Sequence, residues 1–263
     1  MKRKRIWIVA LALTLVLVWL LWGNVTVGST KFTLKEANLP MAFHSFKIAH
    51  VSDLHNSRLW KQTVKLLQKA QPDIICITGD LVDSRRTDVQ LALDFAAAAV
   101  QIAPCYYVVG NHELALEEAT YENLINGLKA LGVTVLDNEL STIEWGDEKI
   151  SLVGAPWGSS QYQGELSQQG GYTILLAHDP AHFESYAAAG YDLVLSGHVH
   201  GGQVRLPFLG GLYGPGQGIL PDYDSGVYSS GDTDLVVSRG VGNSLIPVRF
   251  ANRPEVIFIT LKA

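Results

Sequence analysis

The sequence predicts an α/β fold with at least partly parallel strand pairing, preceded by one apolar helix. Two observations support this prediction: strand-length apolar runs alternate with helical stretches, and a long uncharged segment lies near the start. Of the 263 residues, 48% are apolar and 17% charged, which excludes general disorder. Two cysteines cannot form a disulfide scaffold, so stability must come from a packed core.

Residues 6–22 are predicted to form a single membrane-spanning helix. The segment has no charge, has Thr14 as its one polar side chain and extends ~25 Å as a helix, the short end of what crosses a bilayer. The basic residues 2–5 favour a cytoplasmic tip at 1–5, which puts the remaining chain on the extracytoplasmic side of the cell membrane. A cleaved signal peptide is the alternative, although the apolar run is long for one and no Ala-x-Ala site follows.

Residues 23–45 are predicted to form a linker and a first strand, and residues 46–263 the main domain. Strand-length apolar runs follow, several with β-branched residues at consecutive positions, as in strands covered on both faces. These runs are Phe46–Val51, Asp73–Thr78, Cys105–Val109, Ile150–Val153, Thr173–Ala177, Asp192–Leu195, Leu235–Ser238 and Val256–Leu261.

Helical stretches separate the strands. Trp60, Val64 and Leu67 repeat at helical spacing, and an Ala- and Leu-rich stretch from 88 to 102 follows Thr87 as a candidate cap. Residues 117–131 and 181–189 predict two more helices. Residues 201–231 contain nine glycines and predict a long irregular loop, either functional or simply exposed.

The charge distribution limits the partners. The formal charge of −5 includes +4 from residues 2–5, so the rest of the chain carries −9. Duplex binding needs clustered Lys and Arg, so nucleic acid is not expected as a partner. An anionic substrate must therefore be attracted locally.

Polar signatures follow five of the predicted strands. In open α/β sheets ligands bind at the carboxyl ends of strands, so these five segments can converge on one site. Five of the eight histidines lie in them. The signatures are Ser52-Asp53-Leu54-His55, Gly79-Asp80-Leu81-Val82-Asp83, Gly110-Asn111-His112-Glu113, Ala177-His178-Asp179-Pro180 and Gly197-His198-Val199-His200-Gly201-Gly202.

This set of side chains indicates a metal site. Asp-x-His and His-x-His direct alternate side chains to one side of an extended segment. Carboxylate, imidazole and amide ligands suit divalent ions, and the absence of Cys disfavours structural zinc. There are enough ligands for two ions, whose +4 would exceed the −2 of Asp53 and Asp80 and attract an anion. Each residue alone is more often a turn or capping group than a ligand, but five signatures in order favour metal binding.

The five signatures together resemble the calcineurin-like metallophosphoesterase superfamily. The segments Gly197–Gln203, Ser238–Gly242 and Arg253–Glu255 are similar to its bacterial membrane-anchored branch. The resemblance implies two packed mixed β-sheets flanked by helices, a four-layer sandwich. It extends from about Ile48 to the carboxyl end.

The resemblance also implies roles for individual residues. One ion would be held by Asp53, His55 and His200, and Asp80 would bridge to the second. His112 would lie near the phosphoryl or leaving oxygen, oriented by Asp83. The second ion would take Asn111, His178 and His198. The implied cofactors are two divalent ions, with Mn, Fe or Zn favoured.

From these roles follows hydrolysis of a phosphoric ester, in which a hydroxide shared by the two ions attacks phosphorus in line. The membrane anchor favours a lipid-linked phosphodiester or pyrophosphate, while soluble nucleotides and phosphomonoesters fit the motifs equally well. Aromatic residues 208, 213, 223 and 228 are candidates for a substrate wall. The alternative function is a metal-dependent phospho-ligand binding protein or sensor without turnover. The sequence leaves the oligomeric state open.

Three further groups are given structural interpretations. Glu113 is interpreted as an acid that favours a helix start, in preference to a direct role at the site. Arg239, Arg249 and Arg253 could pair with phosphate or with surface acids, and pairing with surface acids is preferred. Cys76 and Cys105 are interpreted as buried thiols, because their offset along neighbouring strands disfavours a bond between them.

Overall fold

Two six-stranded sheets face each other in the structure, a computed structural model that describes residues 2–158, 171–243 and 248–263. The helices are α1 Lys2–Val25, α2 Trp60–Ala70, α3 Val89–Ala99, α4 Asn111–Leu114, α5 Glu118–Ala130 and α6 Phe183–Ala188. The strands of the two sheets are β1 Gly28–Lys35, β2 Lys47–Val51, β3 Ile74–Thr78, β4 Cys105–Val108, β5 Thr134–Val135, β6 Leu140–Trp145, β7 Glu148–Ala155, β8 Thr173–Ala177 and β9 Leu193–Ser196, followed after four short strands by β14 Gly226–Ser230, β15 Thr233–Val237 and β16 Glu255–Lys262.

Both sheets are mixed, as predicted. The first has the order β1-β16-β2-β3-β4-β5, in which β2 to β5 are parallel and β16 runs antiparallel to β2. The second has the order β14-β15-β9-β8-β7-β6, with parallel pairing from β15 to β7 and antiparallel edges. The two sheets and the helices outside them form the four layers of the expected sandwich.

Strand β3 illustrates why the central strands are continuously apolar. Ile74 and Cys76 pack into the core between the sheets, whereas Ile75 and Ile77 pack beneath the helices of the first sheet. Successive side chains point to opposite faces, and here both faces are buried. Both cysteines are buried free thiols, which confirms that interpretation.

The helices begin close to their predicted positions, with one change of capping residue. The cap of α3 is Asp88, whose carboxylate accepts a hydrogen bond from the Leu91 N–H at 3.0 Å, so the assignment to Thr87 was wrong. Val64 and Leu67 of α2 are buried as the periodicity predicted.

The strands that sequence reasoning missed are short or lie at sheet edges. β6 has one buried residue, Ile143, among partly or fully exposed positions, and β14 has no fully buried residue. β14 lies in the predicted irregular loop, as do two small hairpins: β10 Arg205–Leu206 with β11 Gly210–Gly211, and β12 Tyr213–Gly214 with β13 Gly218–Ile219. The prediction of no regular element there was wrong, because glycine-rich turns also support tight hairpins.

Helix α1 projects its apolar surface away from the domain. Residues 3–25 form one helix long and apolar enough to cross a membrane, with none of its apolar window buried. Its end is fastened to the domain, because the Asn24 side chain donates to the Arg249 carbonyl at 2.9 Å and accepts from the Arg249 N–H at 2.7 Å.

Candidate metal centre

The candidate site lies where the ends of strands from both sheets meet. Residues that follow β2, β3 and β4 come from the first sheet, and residues that follow β8 and β9 come from the second. The two sets touch: His178 Nε2 lies 3.2 Å from Asp80 Oδ2, and His200 Nε2 lies 3.7 Å from Asp53 Oδ1. Parallel strands end at a common edge, which explains how residues distant in sequence converge.

The first predicted ligand set forms one buried cluster. Asp53, His55 and His200 offer ligand atoms that all lie within 4.8 Å of one another. His55 Nε2 stands between two carboxylates, 3.8 Å from Asp53 Oδ1 and 3.5 Å from Asp80 Oδ2. Asp80 is thus next to the first cluster.

The second predicted set forms a neighbouring cluster. Asp80, His178 and His198 also offer ligand atoms within 4.8 Å of one another. The Asn111 amide oxygen lies 3.2 Å from His178 Nε2. All seven predicted metal ligands are therefore brought together, with Asp80 between the two groups as a bridging residue would be.

The carboxylates are held in their charged form although they are buried. Burial alone would raise the pKa of Asp53 and Asp80, but the nearby histidines outweigh burial and hold both pKa values well below the usual range. Burial would likewise lower the pKa of His178, yet the carboxylate of Asp80 raises it to about 10. In the metal-free protein a proton on His178 thus balances charge that a cation can balance instead.

Two other histidines of the clusters, His198 and His200, favour the neutral form that a metal ligand needs, whereas for His55 burial is outweighed by Asp53 and Asp80, which raise its pKa. Burial lowers the pKa of His198 to about 4, with a further contribution from His178. Burial also lowers the pKa of His200 to about 3. Neutral imidazole is the form that coordinates divalent ions.

The backbone at the site is strained. Asp53, His55, Asp80, His198 and His200 all have positive φ, between 44° and 69°. Residues other than glycine rarely adopt this conformation, and its cost of about 1–3 kcal/mol each is tolerated chiefly at functional sites.

Close backbone approach explains one glycine of the motif. A Cβ at Gly197 would overlap Ser52 Oγ and Asp53 Oδ2, so any larger residue would displace these two side chains at the site. The His198 N–H then reaches Asp53, with 3.1 Å to each carboxylate oxygen.

The donor set fits divalent ions. Both ring nitrogens of His55 are buried and have no hydrogen-bond partner among the described residues, although one of them lies between two carboxylates. An orphaned buried polar atom is costly unless something else satisfies it. Coordination of a cation by Nε2 would satisfy this nitrogen.

His112 lies beside the clusters, but its closest partner differs from the predicted one. Its ring centroid is 4.5 Å from that of His55, and its Nδ1 accepts the Ser84 N–H at 3.0 Å. Asp83 Oδ1 is 3.9 Å from Nδ1, too far for a hydrogen bond, and Asp83 instead binds Arg85. The contact of Nδ1 at hydrogen-bond distance is therefore with Ser84, and orientation of His112 by Asp83 stays a prediction.

Glu113 does more than start a helix. Its fully buried carboxylate accepts the N–H groups of Gly110 at 2.9 Å, Asp80 at 2.9 Å and Val82 at 3.2 Å. The first contact agrees with the helix-start interpretation, and the other two hold the loop that carries Asp80. Burial, together with Asp80, raises the pKa of Glu113.

The arginines were interpreted incorrectly as partners of surface acids. Arg249 is buried, donates to the carbonyls of Gly242 and Arg239, and lies 3.3 Å from His200 Nδ1. Arg239 pairs with Glu255, which is buried rather than at the surface.

Trp157 lies at the site and was missed from the sequence. Its ring centroid lies 4.5 Å from that of His198. Trp157 follows β7, so the same position after a strand end that indicated the histidines also indicates Trp157. Tyr223 and Tyr228 contact each other, and Tyr223 packs on Phe183 of α6. The proposed substrate wall therefore does not gain support from these two tyrosines.

A four-layer α/β sandwich with carboxylates and histidines gathered at the strand ends defines a metal-dependent phosphoesterase. The sequence matches the model of the calcineurin-like phosphoesterase family over residues 46–202, and the chain belongs to that family. It is accordingly a hydrolase of phosphoester bonds.

Several relatives are similar in sequence to this chain over most of its length. It is 33% identical to the metallophosphoesterase YkuE of Bacillus subtilis, over 90% of this chain and 86% of the relative. It is 32% identical to the phosphodiesterase YaeI of Escherichia coli, over 82% of each chain. A transmembrane protein with a metallophosphoesterase domain from Bos taurus is 28% identical over 86% of this chain and 55% of its own length.

Proposed function

We propose that this chain hydrolyses a phosphodiester or pyrophosphate in a lipid head group, using two divalent ions held by the predicted ligands. The observation that supports this most directly is the pair of adjoining ligand clusters, Asp53–His55–His200 and Asp80–His178–His198. Mn, Fe and Zn suit their mixture of carboxylate and imidazole donors.

Two bound ions supply Lewis-acid polarisation of the phosphoryl oxygens and an acidified water at neutral pH. The chain's own residues prepare the site for them. The carboxylates of Asp53 and Asp80 remain ionised, so they can bind cations without first losing a proton. Two bound ions would outweigh the negative charge of Asp53 and Asp80, which would favour binding of a phosphate ester to a domain that is otherwise acidic.

His112 is proposed to donate a hydrogen bond or a proton to the leaving oxygen. Because the Ser84 N–H donates to Nδ1, the neutral ring carries its hydrogen on Nε2. This tautomer is the one that a donor at Nε2 requires. In this proposal the Ser84 N–H orients the His112 ring, a role that the resemblance assigned to Asp83.

The anchor supports a substrate in the membrane. Helix α1 ends at Val25 and β1 begins at Gly28, so the domain starts immediately after the apolar segment. Basic residues before the helix favour a cytoplasmic tip and an extracytoplasmic domain. Protease added to intact cells should cleave the domain, and protection would contradict this orientation.

The test is a substrate screen with the full chain in detergent micelles. Phosphomonoesters, phosphodiesters and lipid pyrophosphates are assayed with Mn, Fe, Zn and Mg. We expect turnover of the lipid-linked class, lowered at least about 10²-fold by Asp80→Asn or His112→Ala. His182→Ala is the matched control, since that side chain is 52% exposed and lies outside both clusters. Metal-dependent binding of these esters without hydrolysis would instead favour the sensor function.

A further inference from the structure

We propose that an apolar surface of the domain beside the candidate site, formed by residues outside α1, inserts into the membrane interface. This surface, the apolar rim, consists of Phe208, Leu209, Ile219, Leu220, Val248 and Phe250, all of which are exposed. Phe208 is fully exposed and Ile219 is 81% exposed. The inference rests on the membrane anchor included in the proposed function.

The rim is continuous with the end of α1. The ring of Phe250 packs edge-on against Trp19, with 5.9 Å between the centroids. Trp19 stands three residues before Trp22, the last residue of the apolar run, which is ~4.5 Å along a helix. If α1 spans the bilayer, Phe250 therefore lies at a depth where the helix itself is still apolar.

The attachment of α1 fixes this arrangement. Asn24 makes two hydrogen bonds with the backbone of Arg249, and the guanidinium of Arg253 stacks on Trp22 with 4.1 Å to the ring centroid. Contacts at 249, 250 and 253 thus hold one loop of the domain against the last two turns of the helix. The loop cannot leave the interface without breaking them.

The two hairpins extend the surface from this loop. Val204 pairs with Phe250, the Leu212 N–H donates to the Val204 carbonyl at 2.9 Å, and the Leu220 N–H donates to the Leu212 carbonyl at 3.0 Å. A row of hydrogen-bonded backbone segments therefore runs from the helix contact to Leu220. Phe208 lies in the turn between β10 and β11 of the same region.

Folding alone does not explain two residues of the rim. Phe208 has φ of 67° and Leu220 has φ of 55°, in the left-handed region that glycine or asparagine adopts at lower cost. Neither side chain is buried, so packing in the domain does not compensate. A lipid bilayer supplies an apolar environment for these side chains. Because α1 is proposed to span the bilayer and contacts the rim, lipid is favoured over a second copy of the chain as the partner that covers the rim.

The consequence concerns the substrate. The rim begins eight residues after His200. Asn252, in the loop that contacts α1, donates from its side chain to the His200 carbonyl at 2.6 Å. Insertion of the rim would therefore hold the candidate metal centre next to the lipid head groups. A phosphate ester attached to a lipid could then reach the site without leaving the membrane.

The test measures lipid contact directly, without any enzymatic readout. Single cysteines are introduced in the full chain as Phe208→Cys and Ile219→Cys and labelled with an environment-sensitive fluorophore. The native thiols Cys76 and Cys105 are buried, so labelling is selective. The protein is reconstituted into phosphatidylcholine–phosphatidylglycerol vesicles with and without doxyl-labelled lipid. Insertion to about 5–10 Å should quench at least about half of the emission.

Two matched positions separate the possible outcomes. Met41→Cys is the negative control, because Met41 is 70% exposed but lies beyond the far end of β1, a strand ~23 Å long from 28 to 35. Leu13→Cys reports on α1. Quenching at 13, 208 and 219 but not at 41 supports the proposal. Quenching at position 13 alone overturns insertion of the apolar rim and leaves the α1 anchor in place. Absence of quenching at position 13 overturns both the rim insertion and the α1 anchor. Cross-linking between two copies through position 208 without lipid quenching also overturns the rim insertion.

Discussion

Replacement of Glu36 by Gln should stabilise the protein at alkaline pH and have little effect at acid pH. Glu36 follows β1, is only 7% exposed, and its Oε1 has no hydrogen-bond partner among the described residues. Burial, reinforced by Asp234, raises the pKa of Glu36 from 4.5 to about 7. Folding therefore favours the protonated acid, and Gln is a neutral substitute for it at every pH.

The sign and size of the effect follow from linkage. The stabilising contribution of protonated Glu36 is fully present below pH 4.5 and is lost as the pH rises through about 7. At ~1.4 kcal/mol per pKa unit, the rise from 4.5 to about 7 sets a ceiling of about 3 kcal/mol. Solvent screening close to the surface reduces this to about 1–2 kcal/mol.

Urea unfolding of the full chain in micelles, followed by tryptophan fluorescence, measures this difference. We expect the Glu36→Gln variant to exceed the parent by about 1–2 kcal/mol near pH 8, and by much less near pH 5. Glu122→Gln on the exposed side of α5 is the matched control, with no pH-dependent gain expected. An equal difference at both pH values, or a Glu36→Gln variant less stable than the parent near pH 8, would refute the reasoning.

Three further outcomes are expected. Glu113→Ala leaves three buried N–H groups without an acceptor and should lower the free energy of unfolding by about 3–6 kcal/mol, measured by urea titration; a loss below about 1 kcal/mol would contradict it. Asn24→Ala removes both hydrogen bonds to the Arg249 backbone and should cost about 1–3 kcal/mol and speed proteolysis next to α1, whereas an unchanged digestion rate would show that the tether is dispensable. Removal of metal by a chelator should lower Tm, and addition of Mn or Zn should restore it. A Tm that changes with neither treatment would count against a metal centre.

Sequence reasoning succeeded where a local pattern reports the environment. The apolar runs of β3 and β8 are buried on both faces, so their residue types alone indicate central strands. The histidines and aspartates at strand ends stood out as a set, because five such signatures in order are more than independent turns and caps would produce, and the structure brings them together. The edge strands β6 and β14 were missed because half-exposed strands carry a weaker signal.

Contacts between segments distant in sequence were beyond the reach of such patterns. Arg249 was misread because its partners, the carbonyls of Arg239 and Gly242, are backbone groups that no sequence motif reveals. The partner of His112 proved to be the Ser84 N–H for the same reason. The position of a backbone N–H or carbonyl depends on the conformation of the loop and not on its side chains, so the sequence does not indicate which backbone group a side chain will bind.

By itself, the sequence determined the long apolar helix, the alternation of strands and helices, and the seven residues proposed as metal ligands, because hydrophobic period and residue chemistry are local properties. Only the tertiary structure decided that the two ligand sets adjoin, since the approach of the second sheet to the first requires the close packing at Gly197. The tertiary structure also shows that the loop at 249–253 contacts the end of α1. That contact joins residues 225 positions apart, and only the folded chain brings them together.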